Sequence, residues 1–486
     1  MKKLFLLLFF IPTLLFAKEI FVINENTLKD LMNENVPSIE KINSLITQSN
    51  FNRNKYNEKF SPFVNAGFGY SNVNGDFYDS YSGNFYDPYK KFNIGLNQNL
   101  PAGISYSLGM KNGFAKSYSY ANGNGNNYFQ YDTSAEAKIS FDLWKNLLGI
   151  TDISKRLSLK LNEDEILEQA NLEKTKFFNE IRKIYWGLNL NNSLKNIYER
   201  LIKQAEIQAK NVEKMYNSSV ADKGDLARAK AVVNIRKSDL LLVEYNIKKL
   251  KQNLSNLIPE LNDKELKIDF STYEKTKNRI KSCLNSIGLN TDIPFNLTSY
   301  SAILGYKDKR IKEDLKSLKR YSGPDIKLDM SATSLGFGDI NKDSIEDMTN
   351  VERRDYTIGL NFSMPFGKTY SKSKEDQVKL TKMQYNYEKK EIISNLTSFY
   401  NYFFSSINGL INVKNEQEQY RDNLRIRVET MRKKYNQGRI SLSELIQDED
   451  SLFESELMVA RTKYNIINLL LDYLSIFNKT ECDFNI

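Results

Sequence analysis

Asp225 and Glu444 are acids placed just after a short polar stretch and at the head of a long, apolar-striped segment. Each follows a Tyr-Asn pair, Tyr216-Asn217 for the first and Tyr435-Asn436 for the second. A carboxylate at the start of a helix favours the macrodipole, so both residues have a structural role before any chemical one. The common catalytic chemistries lack their residues. The 486-residue chain has 0 His, which removes His-based triads, His metal sites and the commonest general base. Its two cysteines, Cys283 and Cys482, are too few for a Cys-ligated zinc site. In an oxidising compartment they could form a disulfide, provided their Cα atoms come within about 7 Å. Phe366 to Thr369, "FGKT", ends like a P-loop, but that motif needs a glycine where Phe362 stands. "GNG" at Gly123 to Gly125 precedes no helix, and the abundant acids define no paired pocket. The expectation is a protein that is not an enzyme and holds no cofactor or metal.

The segments that carry the two acids repeat each other. "MYNSSVADKGDLARAKAVVNIRKSDLLLVEYNI" begins at Met215, and "KYNQGRISLSELIQDEDSLFESELMVARTKYNI" begins at Lys434. Tyr216 and Tyr435 are 219 residues apart, as are Tyr245 and Tyr464, and Asp225-Leu226 superposes on Glu444-Leu445. Leu226, Val233, Leu240, Ile247 and Leu254 step by seven, as do Leu445, Leu452, Val459, Ile466 and Tyr473. Seven-residue steps give one stripe along a helix and favour side-by-side packing of helices. A shared register over this length indicates an internal duplication.

Long helices must lead into these segments. Residues 154–216 contain no Pro and a single Gly, Gly187, and residues 371–435 likewise contain no Pro and a single Gly, Gly409. At 1.5 Å per residue each would extend about 90–100 Å. Each turns at a short tip, near 217–224 and 436–441, and returns as the heptad helix. Gly438 can take the positive φ that such a turn needs; Ser219 stands in its place in the first copy, with Gly224 nearby as relief. Pro259 ends the first return helix.

Strands precede the rods. Val64, Ala66, Phe68 and Tyr70 alternate, as do Ala135 to Leu143, Ile326 to Ala332 and Tyr356 to Met364. Each half therefore reads helix, strand, polar loop, strand, rod, tip, rod. The first half carries about 43 residues more between its proline and its tip tyrosine than the second. An added hairpin accounts for them: Phe92, Ile94, Leu96 and Leu100 form one arm, Pro101 to Gly103 the turn, and Ile104, Tyr106, Leu108 and Met110 the other. Its position is open between the wall of a barrel, the mouth and the periplasmic rim. The Tyr-, Asn- and Gly-rich stretches around it, 70–89 and 116–131, read as long exposed loops.

"MKKLFLLLFFIPTLLFA", residues 1–17, has a basic start, an apolar run too short to span a bilayer and a small residue at its end, the pattern of a signal peptide. No later run of about 18 apolar residues reads as a transmembrane helix. The net charge of +9 is spread along the chain with no compact basic block, so nucleic acid is not an expected partner. The expected plan is 1–17 signal peptide, 18–260 first repeat, 261–478 second repeat and 479–486 tail. So few strands cannot close a useful barrel within one chain, and strand edges must be covered. The economical solution is an oligomer whose copies contribute to one shared barrel, in the outer membrane of a bacterium.

This order of elements, the duplication and the two tip segments closely resemble the TolC-like outer-membrane efflux proteins, over essentially residues 20–478. The resemblance implies a mixed α and β fold: a transmembrane β-barrel shared by a homotrimer, above a long α-helical coiled-coil tunnel in the periplasm. It implies docking with a periplasmic adaptor and an inner-membrane pump of the RND or ABC type, contact with outer-membrane lipid, and passage of drugs, toxins or secreted proteins, as in tripartite efflux or type I secretion. Such channels close at the tips. By position Tyr435 matches the gating tyrosine, Asp225 the carboxylate on the partner hairpin and Glu444 one ring acid. The second ring position falls on Gln447, with Asp448 beside it, and the basic gate residue falls on Ile440, with Arg439 adjacent. Apolar side chains on a turn, Val220, Ile440 and Leu442, together with Gly438, are the expected adaptor contacts. The competing reading is a trimeric surface stalk or adhesin without transport activity, which predicts one continuous coiled coil and no repeated strand–rod–tip plan.

Overall fold

Without proline to interrupt them, the two rods form as unbroken helices: α3 spans Ile150–Asn217 and α7 spans Lys368–Asn436. Their return helices are α4, Lys223–Leu257, and α8, Leu442–Ile476. Pro259 opens a single 3-10 turn directly after α4. Further α-helices among the described residues are α1 (Glu25–Leu31), α2 (Pro37–Asn57), α5 (Ser299–Tyr321) and α6 (Asn341–Thr349). The strands among the described residues are β1 (Ile20–Ile23), β2 (Phe63–Ser71), β3 (Asn84–Leu100), β4 (Ile104–Ser119), β5 (Asn126–Asp142), β6 (Glu265–Ile268), β7 (Asp325–Gly338) and β8 (Arg354–Ser363). The structure, a computed structural model, describes residues 20–32, 36–71, 84–119, 126–262, 264–269, 282, 293–321, 323–350, 354–364 and 368–479. The expected signal peptide and both cysteines, Cys283 and Cys482, lie outside the described residues. Among the described residues no helix is long and apolar enough to cross a membrane.

The chain divides into two compact units, each assembled from both sequence repeats. One comprises 46–167 and 303–391 and contains a six-stranded antiparallel sheet in the order β2-β3-β4-β5-β7-β8. The expected extra hairpin is β3 and β4, joined by a turn at 101–103, and it stands inside the sheet between β2 and β5. The sheet also reaches into stretches that composition marks as loop. Strand β3 begins at Asn84, and β4 and β5 continue to Ser119 and from Asn126. Ladder pairing fixes these Tyr- and Asn-rich segments as strand, which overrides their turn-like composition.

The hairpin turn interlocks with the start of α3. Gly103 and Gly149 both adopt φ of +74°. A Cβ on Gly103 would lie 2.0 Å from the Asn146 carbonyl oxygen, and one on Gly149 would lie 1.8 Å from that of Pro101. Only glycine permits both the dihedral and the approach. Beside this contact the buried carboxylate of Asp152 accepts hydrogen bonds from Tyr56 (2.8 Å), Lys59 (2.8 Å) and Asn146 (2.6 Å). Burial and the hydrogen bond to Asp152 raise the Tyr56 hydroxyl well above its ordinary value. At the opposite end of the sheet, α6 lies against β7. Gly336 and Gly338 leave room for Ser344, whose hydroxyl hydrogen-bonds the buried Thr133 at 2.8 Å.

The second unit comprises 1–45, 168–302 and 392–486. Strands β1 and β6 form a short parallel pair there. They cover a core of Leu28, Ile181, Tyr185, Leu254, Ile258 and Leu471. Inside this core Glu25 forms a buried ion pair with Arg182 at 3.3 Å and accepts the Trp186 indole N–H at 2.8 Å. Helix α8 buries side chains on most of its length, and near its C-terminal end Tyr473 stacks between Phe403 of α7 and Phe477, which caps α8.

Candidate functional site

The two tips share one backbone design. In the second, the N–H of Gly438 meets the Tyr435 carbonyl at 2.9 Å and that of Arg439 meets the Lys434 carbonyl at 2.9 Å. In the first, Ser219 bonds Tyr216 at 3.0 Å and Val220 bonds Met215 at 2.8 Å. Both are Schellman-type helix ends, with the left-handed residue at the same repeat position. Gly438 has φ of +70° and Ser219 has φ of +57°, so Ser219 itself takes the left-handed conformation. The expected relief at Gly224 is not used: Gly224 is an ordinary residue of the first turn of α4.

The return helices then start with matched caps. Asp222 accepts the N–H of Asp225 at 2.8 Å. Ser441 accepts the N–H of Glu444 at 3.2 Å, while the Glu444 carboxylate accepts the Ser441 N–H at 2.8 Å, completing a capping box. The Glu444 carboxyl is held below its ordinary value, first by the Ser441 backbone N–H and then by its hydroxyl. Asp222 and Ser441 were not singled out in the sequence, although the S-x-x-E spacing at 441–444 is a legible signal.

The tips also meet through side chains. Val212 from α3, Ala229 from α4, and Leu442 and Ile446 from α8 form one buried cluster, with Tyr435 packed against it. The Arg228 guanidinium donates to the Ser443 hydroxyl at 2.7 Å. Burial raises the Tyr435 hydroxyl above its ordinary value, and the charge of Asp225 adds to it. Glu444 is turned onto its own cap, and Gln447 and Arg439 are exposed. Val220 is 71% exposed, Ile440 is half-buried and Gly438 is exposed. Leu442 departs from the expected exposure. At 8% exposed it is buried, because its place at the start of α8 aims it into the cluster with Ile446.

Behind the tip, α8 carries acids that arginines hold. Arg427 meets Asp448 at 2.9 Å, and Arg432 meets Glu449 at 2.8 Å. Arg236 pairs with Asp450, and Arg200 with Glu456. Asp448, noted in the sequence beside the second ring position, is thus occupied by an ion pair within the same hairpin.

The six-stranded sheet is the second candidate site, and register sorts its residues onto two faces. One row runs Val64, Leu96, Leu108, Ala137, Ala332 and Tyr356, and the next runs Ala66, Ile94, Met110, Ala135 and Ser334. Phe68, Ile358 and Leu360 on this face are each about two-thirds exposed or more. The opposite face carries Asn65, Asn97, Ser107, Lys138, Asp329 and Asn361, which line a hollow of about 960 Å³, except for Asn65. Lys138 faces Asp329 at 3.7 Å, Asn361 donates to Asp329 at 2.5 Å, and Lys111 faces Glu136 at 3.8 Å. The sheet is thus apolar on one side and polar or charged on the other. Among the described residues no cluster of three or more acids or thiols could hold a metal ion.

Comparison with known proteins agrees with this geometry. No protein-family model matches the sequence. The chain is 24% identical over 351 residues to the toxin and drug export protein A of Aggregatibacter actinomycetemcomitans, covering 71% of each chain. Its fold matches the transmembrane channel CusC with a TM-score of 0.67 and 14% identity, over 93% of this chain and 92% of that one. It matches the outer-membrane channel CmeC of Campylobacter jejuni with a TM-score of 0.66 and 12% identity, over 94% and 85%. The chain has the fold of the TolC-like outer-membrane channels.

Proposed function

We propose that three copies of this chain form an outer-membrane exit duct, shared at the sheet and extended by the helices into the periplasm. The observation that carries the proposal is the two-faced sheet with uncovered edges, in a chain whose fold matches outer-membrane channels over more than nine-tenths of its length. Exposed apolar residues on α4, Ile235, Leu242 and Tyr245 among them, support side-by-side packing of copies. The duct receives cargo from an inner-membrane pump of the RND or ABC type through a periplasmic adaptor, as part of a tripartite efflux or type I secretion system. Drugs and toxins are the proposed cargo classes, in keeping with the relative named for exporting both.

The tips form the entrance. Tyr435 at the end of α7, Asp225 in the first turn of α4, Glu444 and Gln447 on α8 and Arg439 on the second turn are the proposed gate residues. Repeated three times around a narrow throat, Asp225 and Glu444 repel one another and draw cations. Val220, Gly438 and Ile440 offer the exposed turn surface to the adaptor; the buried Leu442 supports that surface from beneath.

The test is single-channel recording in planar bilayers. Wild-type protein should insert as a low-conductance, cation-preferring pore. Glu444→Gln combined with Asp225→Asn keeps both helix starts capped while removing the charges, and should raise conductance several-fold. Unchanged conductance would remove these acids from the gate. Failure of any protein to insert, with a solid elongated trimer by electron microscopy, would favour a surface stalk.

A further inference from the structure

We infer that the shared barrel has eighteen strands, six from each copy, closed by β2 of one copy against β8 of the next, with a bore that admits helical polypeptide. The inference rests on the channel reading above and adds the strand number, the seam and the size of cargo. Its basis is the position of the β3–β4 hairpin. That hairpin is hydrogen-bonded to β2 on one side and to β5 on the other, so it is part of the wall. It neither hangs free nor folds across the sheet.

Three features make a second copy the occupant of both edges. First, direction: strands alternate across the sheet, so β8 runs antiparallel to a neighbouring β2 and the alternation continues unbroken. Second, facing: with Ser363 opposite Phe63 of the next copy, Phe362, Leu360 and Ile358 fall opposite Val64, Ala66 and Phe68. Asn361 then falls opposite Asn65, so each side of the wall continues across the seam. Third, stagger. The chain of ladder partners from Phe63 runs through Asn97, Ser107, Lys138 and Ser331 to Thr357, six residues before the end of β8.

A stagger of six residues per copy sums to about eighteen over eighteen strands. With a strand spacing of about 4.8 Å and a rise of about 3.3 Å, the strands tilt by about 35°, within the range of closed barrels. The backbone-to-backbone diameter is then about 34 Å. Allowing about 5 Å for side chains on each side leaves a bore of about 24 Å, twice the width of an α-helix. Without the hairpin, twelve strands at a similar tilt would leave only about 13 Å. The barrel therefore accommodates a helical hairpin, and any tighter sieving of cargo belongs to the helical entrance.

Two measurements on the full-length mature protein test this. In a Cys283→Ser, Cys482→Ser background, Asn65→Cys with Asn361→Cys should oxidise to a ladder of linked dimers and trimers. Either cysteine alone should give none. Cryo-electron microscopy of the wild type in lipid nanodiscs should show a three-fold barrel of eighteen strands, which would stand even if the cysteine variant folds poorly. A three-fold barrel of twelve strands, with β2 beside β5 and the hairpin outside the wall, would overturn the inference while leaving the channel intact. A particle without a barrel would overturn both.

Discussion

At the scale of single residues, the tips carry a matched experiment. Ser219 and Gly438 occupy the same repeat position with nearly the same left-handed backbone, and only one of them is glycine. A side chain in that conformation costs about 1–2 kcal/mol, offset in part by the entropy glycine gains on unfolding. Ser219→Gly should stabilise the first tip by about 0.5–1 kcal/mol, and Gly438→Ala should destabilise the second by about 1 kcal/mol. Hydrogen exchange of the Val220 and Arg439 amides would resolve the two effects; equal responses would mean that the backbone at 219 relaxes. Glu444 adds a pH dependence at the same place. Its folded value lies below the ordinary 4.5, so its capping contribution is whole above that value and fades as pH falls through the lower folded one. Amide protection at the start of α8 should fall between about pH 5 and pH 3 in the wild type and stay level in Glu444→Gln.

At the scale of elements, local sequence made much legible: the absence of proline marked the rods, turn residues the tips, and periodicity the returns and the strand cores. Seven-residue steps marked α4 and α8, and alternation marked β2, β5, β7 and β8. What escaped depends on distant partners. Strands β1 and β6 are four residues each and pair across some 240 residues of sequence, so neither carries a pattern of its own. The Tyr/Asn segments at 84–91 and 126–131 become strand only because a neighbour supplies the ladder. Leu442 looked exposed because a turn was expected at its position, whereas the cap at Ser441 already starts the helix. The N-terminal segment offers a prediction of its own. Arg182→Met would leave Glu25 charged in the core and should cost about 3–5 kcal/mol. Adding Glu25→Gln, which keeps an acceptor for Trp186, should recover much of that loss. Thermal unfolding of the three proteins would decide; a double variant as unstable as the single would mean that the pair matters for packing alone.

At the scale of the whole molecule, the 0 His count sets an expectation for transport. No side chain with an ordinary value between pH 5 and 8 is present, so the charges lining the proposed duct do not change across that range. Conductance should stay flat from about pH 5.5 to pH 8. A titration step in that window would require a carboxylate raised far from its usual range, and Asp450, raised by burial against the pull of Arg236, would be the first to examine.

The reciprocal contact of Gly103 with Asn146 and of Gly149 with Pro101 bears on how such a chain can change over time. A hairpin added to a wall is usually imagined as a cassette, gained or lost at its own ends. Here its turn is seated against the 146–149 segment that leads into α3, and glycine at 103 and at 149 leaves room for the opposing backbone. Excising 84–119 would therefore not leave the rest of its unit untouched. It would strip cover from the Asn146 and Gly149 backbone and unseat the root of the rod. The hairpin and the footing of the helix are coupled through one contact, so a change in either is felt by the other.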